Sequence, residues 1–252
     1  MIDCVYVKSI TNQSLDIYRY SLTVKSLLQW LQKHLKPNKT IPTTPWRANH
    51  AWDLGVGPED FQRYFILFIG LVVFVLGEAL LVLSTLGNSP WVVLAEGISI
   101  NTDLNIGETT FLTSLVVLLL WIPLKQKPGF GTLMNIIGIA TALEIGLRVF
   151  PYQDQFLFQL LFIFLGIALV GTGSALYITC GLGTGPRDGL MTGLHYKTGV
   201  RVGRVRLGIE VVVLTLGALL GGTLGIGTAL FALLIGQSVA VALGVVDRLT
   251  SQ

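Results

Sequence analysis

The chain has 252 residues, of which 52% are hydrophobic and 12% are charged. The charged fraction is about half that of an average soluble domain, so a compact water-soluble globule would have too few polar side chains to cover its surface. Disorder is excluded by the same composition, and a net charge of only +3 does not indicate a nucleic-acid groove. Cys4 and Cys180 lie in no metal-binding pattern, so we predict no disulfide framework, no metal site and no cofactor.

Residues 1–60 are more polar than the rest and contain four of the nine prolines. They hold no apolar run long enough for a signal-peptide core, so we expect this N-terminal extension to stay in the cytoplasm. Leucines near helical spacing in residues 21–35 predict an amphipathic helix. This helix lies on the membrane surface, or it packs against the membrane domain or another protein. Residues 36–60 are predicted to form a linker because they are rich in Pro, Thr, Asn and Gly.

From Tyr64 onward, six apolar runs are long enough to cross a bilayer, which requires roughly 20 residues. Cytoplasmic loops retain Lys and Arg. If the N-terminus is cytoplasmic, sixteen of the seventeen basic residues lie on the cytoplasmic side. We therefore predict an all-α, polytopic transmembrane bundle with both termini in the cytoplasm. The predicted spans cover residues 64–86, 107–124, 131–149, 157–180, 205–222 and 227–246.

The sequence contains an internal repeat. A shift of 96 residues aligns residues 70–139 with 166–235 without a gap, and 20 of the 70 positions are identical. Chance would give roughly one identity in ten positions in a chain so rich in Gly and Leu. The matched pairs include Gly70/Gly166, Gly77/Gly173, Gly87/Gly183, Pro90/Pro186, Gly129/Gly225, Gly131/Gly227 and Thr132/Thr228.

Each copy of the repeat contains three spans, so the second copy must be inverted in the membrane relative to the first. The membrane part therefore divides into repeat 1, residues 64–149, and repeat 2, residues 157–246. Inverted repeats occur in many secondary transporters, where they allow two oppositely facing conformations. The alternative is an old duplication that is kept only for packing.

The longest loop of repeat 2, residues 182–193, contains a glycine turn followed by a proline. Gly185, or the threonine before it, can cap a short helix that has Pro186 at its first position. Asp188 lies near the third position, where we expect it to accept hydrogen bonds from free backbone N–H groups. Gly189 follows it in the same turn.

The longest loop of repeat 1, residues 86–97, has the same pattern, with Ser89 as the cap and Pro90 first. A helix of about ten residues is too short to cross a bilayer, so each short helix lies in the interface or dips back into the protein. In a re-entrant helix, the positive N-terminal end and Arg187 would form a site for an anion. In an interfacial helix, Arg187 would pair with Asp188 or with lipid phosphate.

Ionisable residues inside spans are costly and therefore indicate function. Glu144 and Arg148 are four residues apart, as are Arg206 and Glu210, and the simplest prediction for each is an ion pair on one helix face. Glu78 has no such local partner. It is therefore the best candidate for proton coupling or solute binding, although a protonated acid hydrogen-bonded to a neighbouring helix is the alternative.

Residues 181–191, Thr198-Gly199, Arg206, Ile209-Glu210 and the stretch 221–228 resemble the YczE-like branch of the YitT group of bacterial integral membrane proteins. The similarity covers about residues 64–246. The function of this group is chiefly unknown, so the resemblance implies only a polytopic protein of the bacterial inner membrane. The positions that it marks are Gly183, Gly185, Pro186, Arg187, Asp188, Gly189, Arg206, Glu210, Gly225 and Gly227.

These patterns predict a multi-pass inner-membrane transporter or exporter of a small anionic or amphipathic solute, and not an enzyme. The alternative is a non-transporting scaffold that docks a cytosolic enzyme through residues 197–206 and the N-terminal helix. The expected partners are the lipid bilayer and a small solute, and association with further copies of the chain remains open. In the transport hypothesis Glu78, near the middle of the membrane, couples transport to proton movement or binds the solute. Solute binding is assigned to Arg187, Asp188, Pro186, Gly185 and Gly189 on the inner side and to Ser89 and Trp91 on the outer side.

Overall fold

A computed structural model describes residues 26, 29, 35–104, 106–137 and 154–251, and every regular element in them is an α-helix. The chain forms two compact units, Met1–Lys36 and Pro37–Gln252, and the second contains eight helices among its described residues. We number them α1 (Pro58–Leu83), α2 (Pro90–Ile100), α3 (Ile106–Leu120), α4 (described over 130–137), α5 (Phe156–Thr179), α6 (Pro186–Thr198), α7 (Val202–Leu219) and α8 (Ile226–Thr250).

Local sequence explains where several helices begin and end. Helices α1, α2 and α6 each have proline in their first turn, where its missing N–H costs nothing. At the start of α1, the Gly57 N–H donates a hydrogen bond of 2.9 Å to the Asp60 carboxylate. Helix α6 ends at Gly199, whose φ of +70° is accessible to glycine at little cost.

Three helices, α1, α5 and α8, are long and apolar enough to cross a bilayer, with 26, 24 and 25 residues. Each coincides with a predicted span to within a few residues. The predicted spans 107–124 and 205–222 correspond to the shorter helices α3 and α7. Of the span predicted at 131–149, only residues up to 137 are described. Glu144, Arg148 and most of the helix predicted at 21–35 lie outside the described residues.

Helices α1 and α5 pack closely because small residues face each other. A Cβ atom on Gly77 would lie 2.7 Å from the carbonyl oxygen of Gly166, and one on Gly173 would lie 2.6 Å from that of Gly70. Gly70 matches Gly166 in the sequence repeat, and Gly77 matches Gly173. The same contact is therefore made twice, with the two copies exchanging roles.

A second pair of contacts repeats in the same way where two loops meet two helix starts. The Gly227 N–H donates to the Leu86 carbonyl at 2.9 Å, and the Gly131 N–H donates to the Leu182 carbonyl at 2.7 Å. Gly227 matches Gly131 under the 96-residue shift, and Leu86 matches Leu182. Each loop thus docks onto the beginning of a helix from the other copy.

The segment 37–57, predicted as a linker, contains no helix but is bonded to the helical body. Thr44 Oγ1 donates to the Thr179 carbonyl at 3.0 Å, and the Ala48 N–H donates to the Cys180 carbonyl at 2.8 Å, both at the end of α5. The Phe130 N–H at the start of α4 donates to a carbonyl within the same segment. Residues 37–57 therefore cover one end of the bundle.

The outer surface of the bundle is apolar. Large hydrophobic side chains stay exposed on α1, α3 and α5, where they recur at helical spacing. A continuous apolar strip of this length is unfavourable in water and favourable against lipid chains. On α1 the strip consists of Phe61, Phe65, Phe68, Val72 and Leu76.

Candidate functional site

Helices α2 and α6 begin next to each other inside the helical body and run apart along α7. The end of α2 lies at the end of α7, where the Asn101 side-chain amide donates to the Leu220 carbonyl at 2.7 Å. The end of α6 lies at the start of α7, where His195 Nδ1 is 2.7 Å from the Val200 carbonyl. The two N-terminal ends meet between these points, and the Arg187 guanidinium lies over the Trp91 ring at 5.4 Å.

The sequence assigned Trp91 to the outer side and Arg187 to the inner side, and the contact between their side chains is what the re-entrant alternative allows. Pro90, Trp91, Pro186 and Asp188 are all buried, so neither helix start is an interfacial turn. Each loop turns back into the protein before its helix begins. The reason is that the loops dock onto helix starts of the other copy, which brings both prolines inward.

The helix starts at Pro90 and Pro186 are confirmed, with Ser89 and Gly185 as the capping residues. The expected capping role of Asp188 is wrong, since α6 has no side-chain capping hydrogen bond. Its carboxylate instead accepts hydrogen bonds from the Tyr177 hydroxyl and from Arg206, while Ser174 Oγ lies 3.4 Å away. The Ser89 hydroxyl is buried and makes no hydrogen bond.

The helix starts border a cluster of five charged side chains from three helices, of which all but Arg187 are buried. Arg206 of α7 pairs with Asp188 of α6 and also with Glu210 one turn further on, with 2.9 Å between its Nε and Oε1 of Glu210. The predicted Arg206–Glu210 pair is thus confirmed. Glu78 of α1 lies 3.6 Å from Arg187 of α6, a partner far away in the sequence. Arg187 and Asp188 do not pair with each other, although such a pair was one of the two possibilities for an interfacial helix.

The charges of this cluster nearly cancel once the helix ends are included. Three carboxylates and two guanidinium groups sum to a formal charge of −1. The N-terminal ends of α2 and α6 each carry a partial charge of roughly +0.5, and both ends lie beside the cluster. Glu78 Oε1 is nevertheless buried without a hydrogen bond. The cluster is therefore close to neutral but incompletely hydrogen-bonded, which is costly for buried carboxylates.

A small cavity of about 10 Å³ lies beside the cluster, enough for roughly one water molecule. Three hydroxyl side chains of α3 line it opposite Arg187 and Trp91. Two of these hydroxyls, Thr110 and Ser114, match Arg206 and Glu210 in the sequence repeat. Repeat 1 therefore offers hydroxyls and open space where repeat 2 is filled by an ion pair. The lining residues are Trp91, Thr110, Thr113, Ser114, Val117, Pro186 and Arg187.

Two glycines of the predicted site leave room for large side chains from repeat 1. A Cβ atom on Gly189 would collide with the ring of Trp121, and one on Gly185 would collide with the side-chain amide of Asn135. The indole N–H of Trp121 donates to the Pro186 carbonyl at 3.0 Å. Trp121 is 2% exposed. It closes the space between α3 and α6 on the side where α6 ends.

Sequence analysis did not assign Tyr177, Ser174 or Trp121 to this site. The repeat could have indicated Ser174, because it matches Glu78 under the 96-residue shift. In the structure Ser174 lies in the same cluster as Glu78. Within the described parts of the chain, no three His, Cys, Asp or Glu side chains come together as a metal site. The chemistry that the cluster offers is ion pairing and proton exchange among carboxylates, guanidiniums and hydroxyls.

The apolar exterior, the long apolar helices and the buried charges together define a helical membrane protein. Residues 61–243 match a family of unknown function, DUF6198, and the chain belongs to this family. This confirms the resemblance identified from the sequence.

Three relatives cover most of the chain. An uncharacterised protein of Haemophilus influenzae is 42% identical over 214 residues, which are 85% of this chain and 96% of the relative. The uncharacterised membrane protein YczE of Bacillus subtilis is 31% identical over 71% of this chain and 84% of its own length. The B. subtilis protein YyaS is 28% identical over 74% of this chain and 95% of its own length. No solved structure matches the chain.

Proposed function

We propose that the protein is a secondary transporter of a small solute, built from six membrane-crossing helices in two inverted repeats of three. In this arrangement α1, α3 and α4 belong to repeat 1, and α5, α7 and α8 belong to repeat 2. The short helices α2 and α6 enter from opposite sides without crossing. Both termini lie on the cytoplasmic side of a bacterial inner membrane. The protein moves a solute rather than catalysing a reaction.

The exchanged contacts between the copies support the inverted arrangement. A pair of contacts in which matched residues swap roles is what a twofold axis between two copies produces. The Gly77–Gly166 and Gly173–Gly70 approaches form one such pair. An odd number of crossings per copy places that axis in the membrane plane, as in many transporters. The distribution of basic residues supports the orientation.

The observation that carries the proposal is the meeting of two helix starts on a buried charge cluster. Transporters bind their substrates between repeats near the middle of the membrane, often where interrupted helices present their N-terminal ends. Charged side chains at that depth are costly, so they persist where they pair or handle a solute. Arg187, whose side chain is 23% exposed, borders the cavity and is the group best placed to contact a solute.

Flux through reconstituted vesicles tests this proposal. The purified full chain is inserted into liposomes, and uptake of a panel of radiolabelled small organic and inorganic ions is measured under an imposed pH gradient. We expect uptake of at least one solute, and we expect Arg187→Ala to reduce its rate at least about tenfold because the binding charge is lost. Arg204→Ala is the matched control, since Arg204 is exposed at the start of α7, and should change the rate less than about twofold. Equal rates in both variants would refute the role of Arg187.

A scaffold is the second candidate, because exposed basic residues gather where α6 ends and α7 begins. Lys197, Arg201 and Arg204 are all exposed there. A cytosolic protein with an acidic surface would dock on such a patch. Reversing Arg201 and Arg204 to Glu should then release a co-purifying protein, whereas Arg187→Ala should not. If the protein is a transporter, Arg187→Ala should reduce the flux and the reversals at Arg201 and Arg204 should not.

A further inference from the structure

We propose that the cavity beside Arg187 binds a small monovalent anion, and that the anion replaces Glu78 as the partner of Arg187 when Glu78 takes up one proton. This inference rests on the proposed transport function and names its substrate class and coupling. The only covalent change is the O–H bond that forms on Glu78 when it takes a proton from hydronium in the solvent, which leaves water. The proton goes to the Glu78 carboxylate, and the guanidinium exchanges one negative partner for another.

Arg187 is the cation in the cluster that is free to change partners. Among the described residues it forms an ion pair with Glu78, which spans 3.6 Å without a hydrogen bond to Oε1 of that carboxylate. Arg206 is instead held by two carboxylates and is 2% exposed. An ion pair at 3.6 Å is open enough for a competing anion to displace, whereas Arg206 has no free side left for one.

The charge balance requires an anion once Glu78 is neutral. Glu78 is surrounded by Arg187 and Asp188 on α6, Arg206 and Glu210 on α7 and, on α5, the tyrosine bonded to Asp188. With Glu78 ionised, these side chains and the two helix ends come close to neutrality. With Glu78 protonated, about one positive charge is left beside the cavity. A monovalent anion restores the balance, whereas a sodium ion would increase the imbalance.

The Arg187 guanidinium is the donor that the cavity offers to such a ligand. The Trp91 ring lines the cavity, and the buried indole N–H lies within reach of the Glu210 carboxylate. The hydroxyls of α3 complete the lining. Since the space holds roughly one water while Glu78 is paired with Arg187, an anion of a few atoms enters only when the Glu78 carboxylate leaves Arg187.

The test measures nitrate binding to the purified full chain in detergent by calorimetry between pH 5 and pH 8. Nitrate stays ionised over this range, so any pH dependence belongs to the protein. For a site that binds one proton with each anion, we expect the dissociation constant to rise about tenfold per pH unit wherever Glu78 is ionised. Replacing sodium by choline should leave the affinity unchanged.

Three variants separate the proposal from its alternatives. Glu78→Gln should bind nitrate at every pH as the wild type does at low pH. Glu59→Gln, the same change at an exposed position of α1, should keep the wild-type pH dependence. Arg187→Lys should bind more weakly, because it retains the charge but loses the forked donor.

The results distinguish this inference from the function on which it rests. A wild-type pH dependence in Glu78→Gln, or binding of sodium instead of nitrate, would overturn the exchange even if the vesicles transport a solute. Nitrate binding that depends on Glu78, together with vesicles that transport nothing, would support the site and overturn the transporter.

Discussion

The close packing of α1 on α5 can be tested by replacing Gly77 with alanine. The new Cβ atom would lie 2.7 Å from the Gly166 carbonyl oxygen and 2.7 Å from the Val170 backbone nitrogen. Ordinary contacts begin at 3.4 Å. Both neighbours are backbone atoms, so no side chain can rotate away, and the two helices must separate by roughly 0.7 Å or tilt to accept one methyl group.

The expected cost follows from this overlap. Overpacking of a tight interface by a methyl group costs about 1–3 kcal/mol, which changes the folded-to-unfolded ratio by roughly 5-fold to 150-fold. Because the contact recurs with exchanged roles, Gly173→Ala, whose Cβ would lie 2.6 Å from the Gly70 carbonyl, should cost about the same. The measurement is the free energy of unfolding in mixed micelles, followed by circular dichroism as the denaturing detergent is increased.

Gly208→Ala is the matched control on α7. No heavy atom lies within 4 Å of a Cβ atom there, so the substitution should be neutral or stabilise the helix by up to about 1 kcal/mol, since alanine is the better helix former. If Gly77→Ala and Gly208→Ala gave the same free energy of unfolding, the close approach of α1 and α5 would be refuted.

Two further predictions concern the charge cluster and the membrane arrangement. Arg206→Met should lower the free energy of unfolding by about 3–5 kcal/mol, because it leaves two buried carboxylates without their cation. The stability of Arg206→Lys should lie between those of Arg206→Met and the wild type. Equal stability of all three proteins would contradict the ion pairing. Asp103 and Lys127 lie in exposed loops at the two ends of α3. Each is replaced by cysteine in a background without the native cysteines. An impermeant thiol reagent should label them from opposite faces of the membrane, and labelling of both from one face would show that α3 does not cross.

Local and periodic features of the structure could be predicted from the sequence. The starts of α2 and α6 at Pro90 and Pro186 depend on the fixed φ angle of proline at a helix N-terminus. The Arg206–Glu210 pair follows from four-residue spacing on a helix. The apolar runs predicted α1, α5 and α8 because helix length and hydropathy are properties of consecutive residues.

Contacts between distant segments could not be predicted in this way. Nothing in the spacing of Glu78 and Arg187 indicates that they meet, and the repeat alone suggested that Trp91 would lie at the surface opposite Arg187. The capping role expected for Asp188 is a local preference, and it lost to stronger interactions with Arg206 and with the tyrosine of α5. Trp121 could not be assigned to the site from the sequence, because its contact with α6 depends on the gap at Gly189.

The amino-acid sequence by itself determined that this chain is helical, apolar on its exterior and built from two related halves. The first two properties are encoded in consecutive residues, and the third is visible when one segment of the sequence is compared with another. The tertiary structure alone decided that the two short helices begin at one point, that five charged side chains cluster there and that repeat 1 leaves a cavity where repeat 2 has an ion pair. The physical reason is that burial and charge pairing depend on which segments approach in space. That approach is set by glycine contacts and loop hydrogen bonds that join residues far apart in the chain.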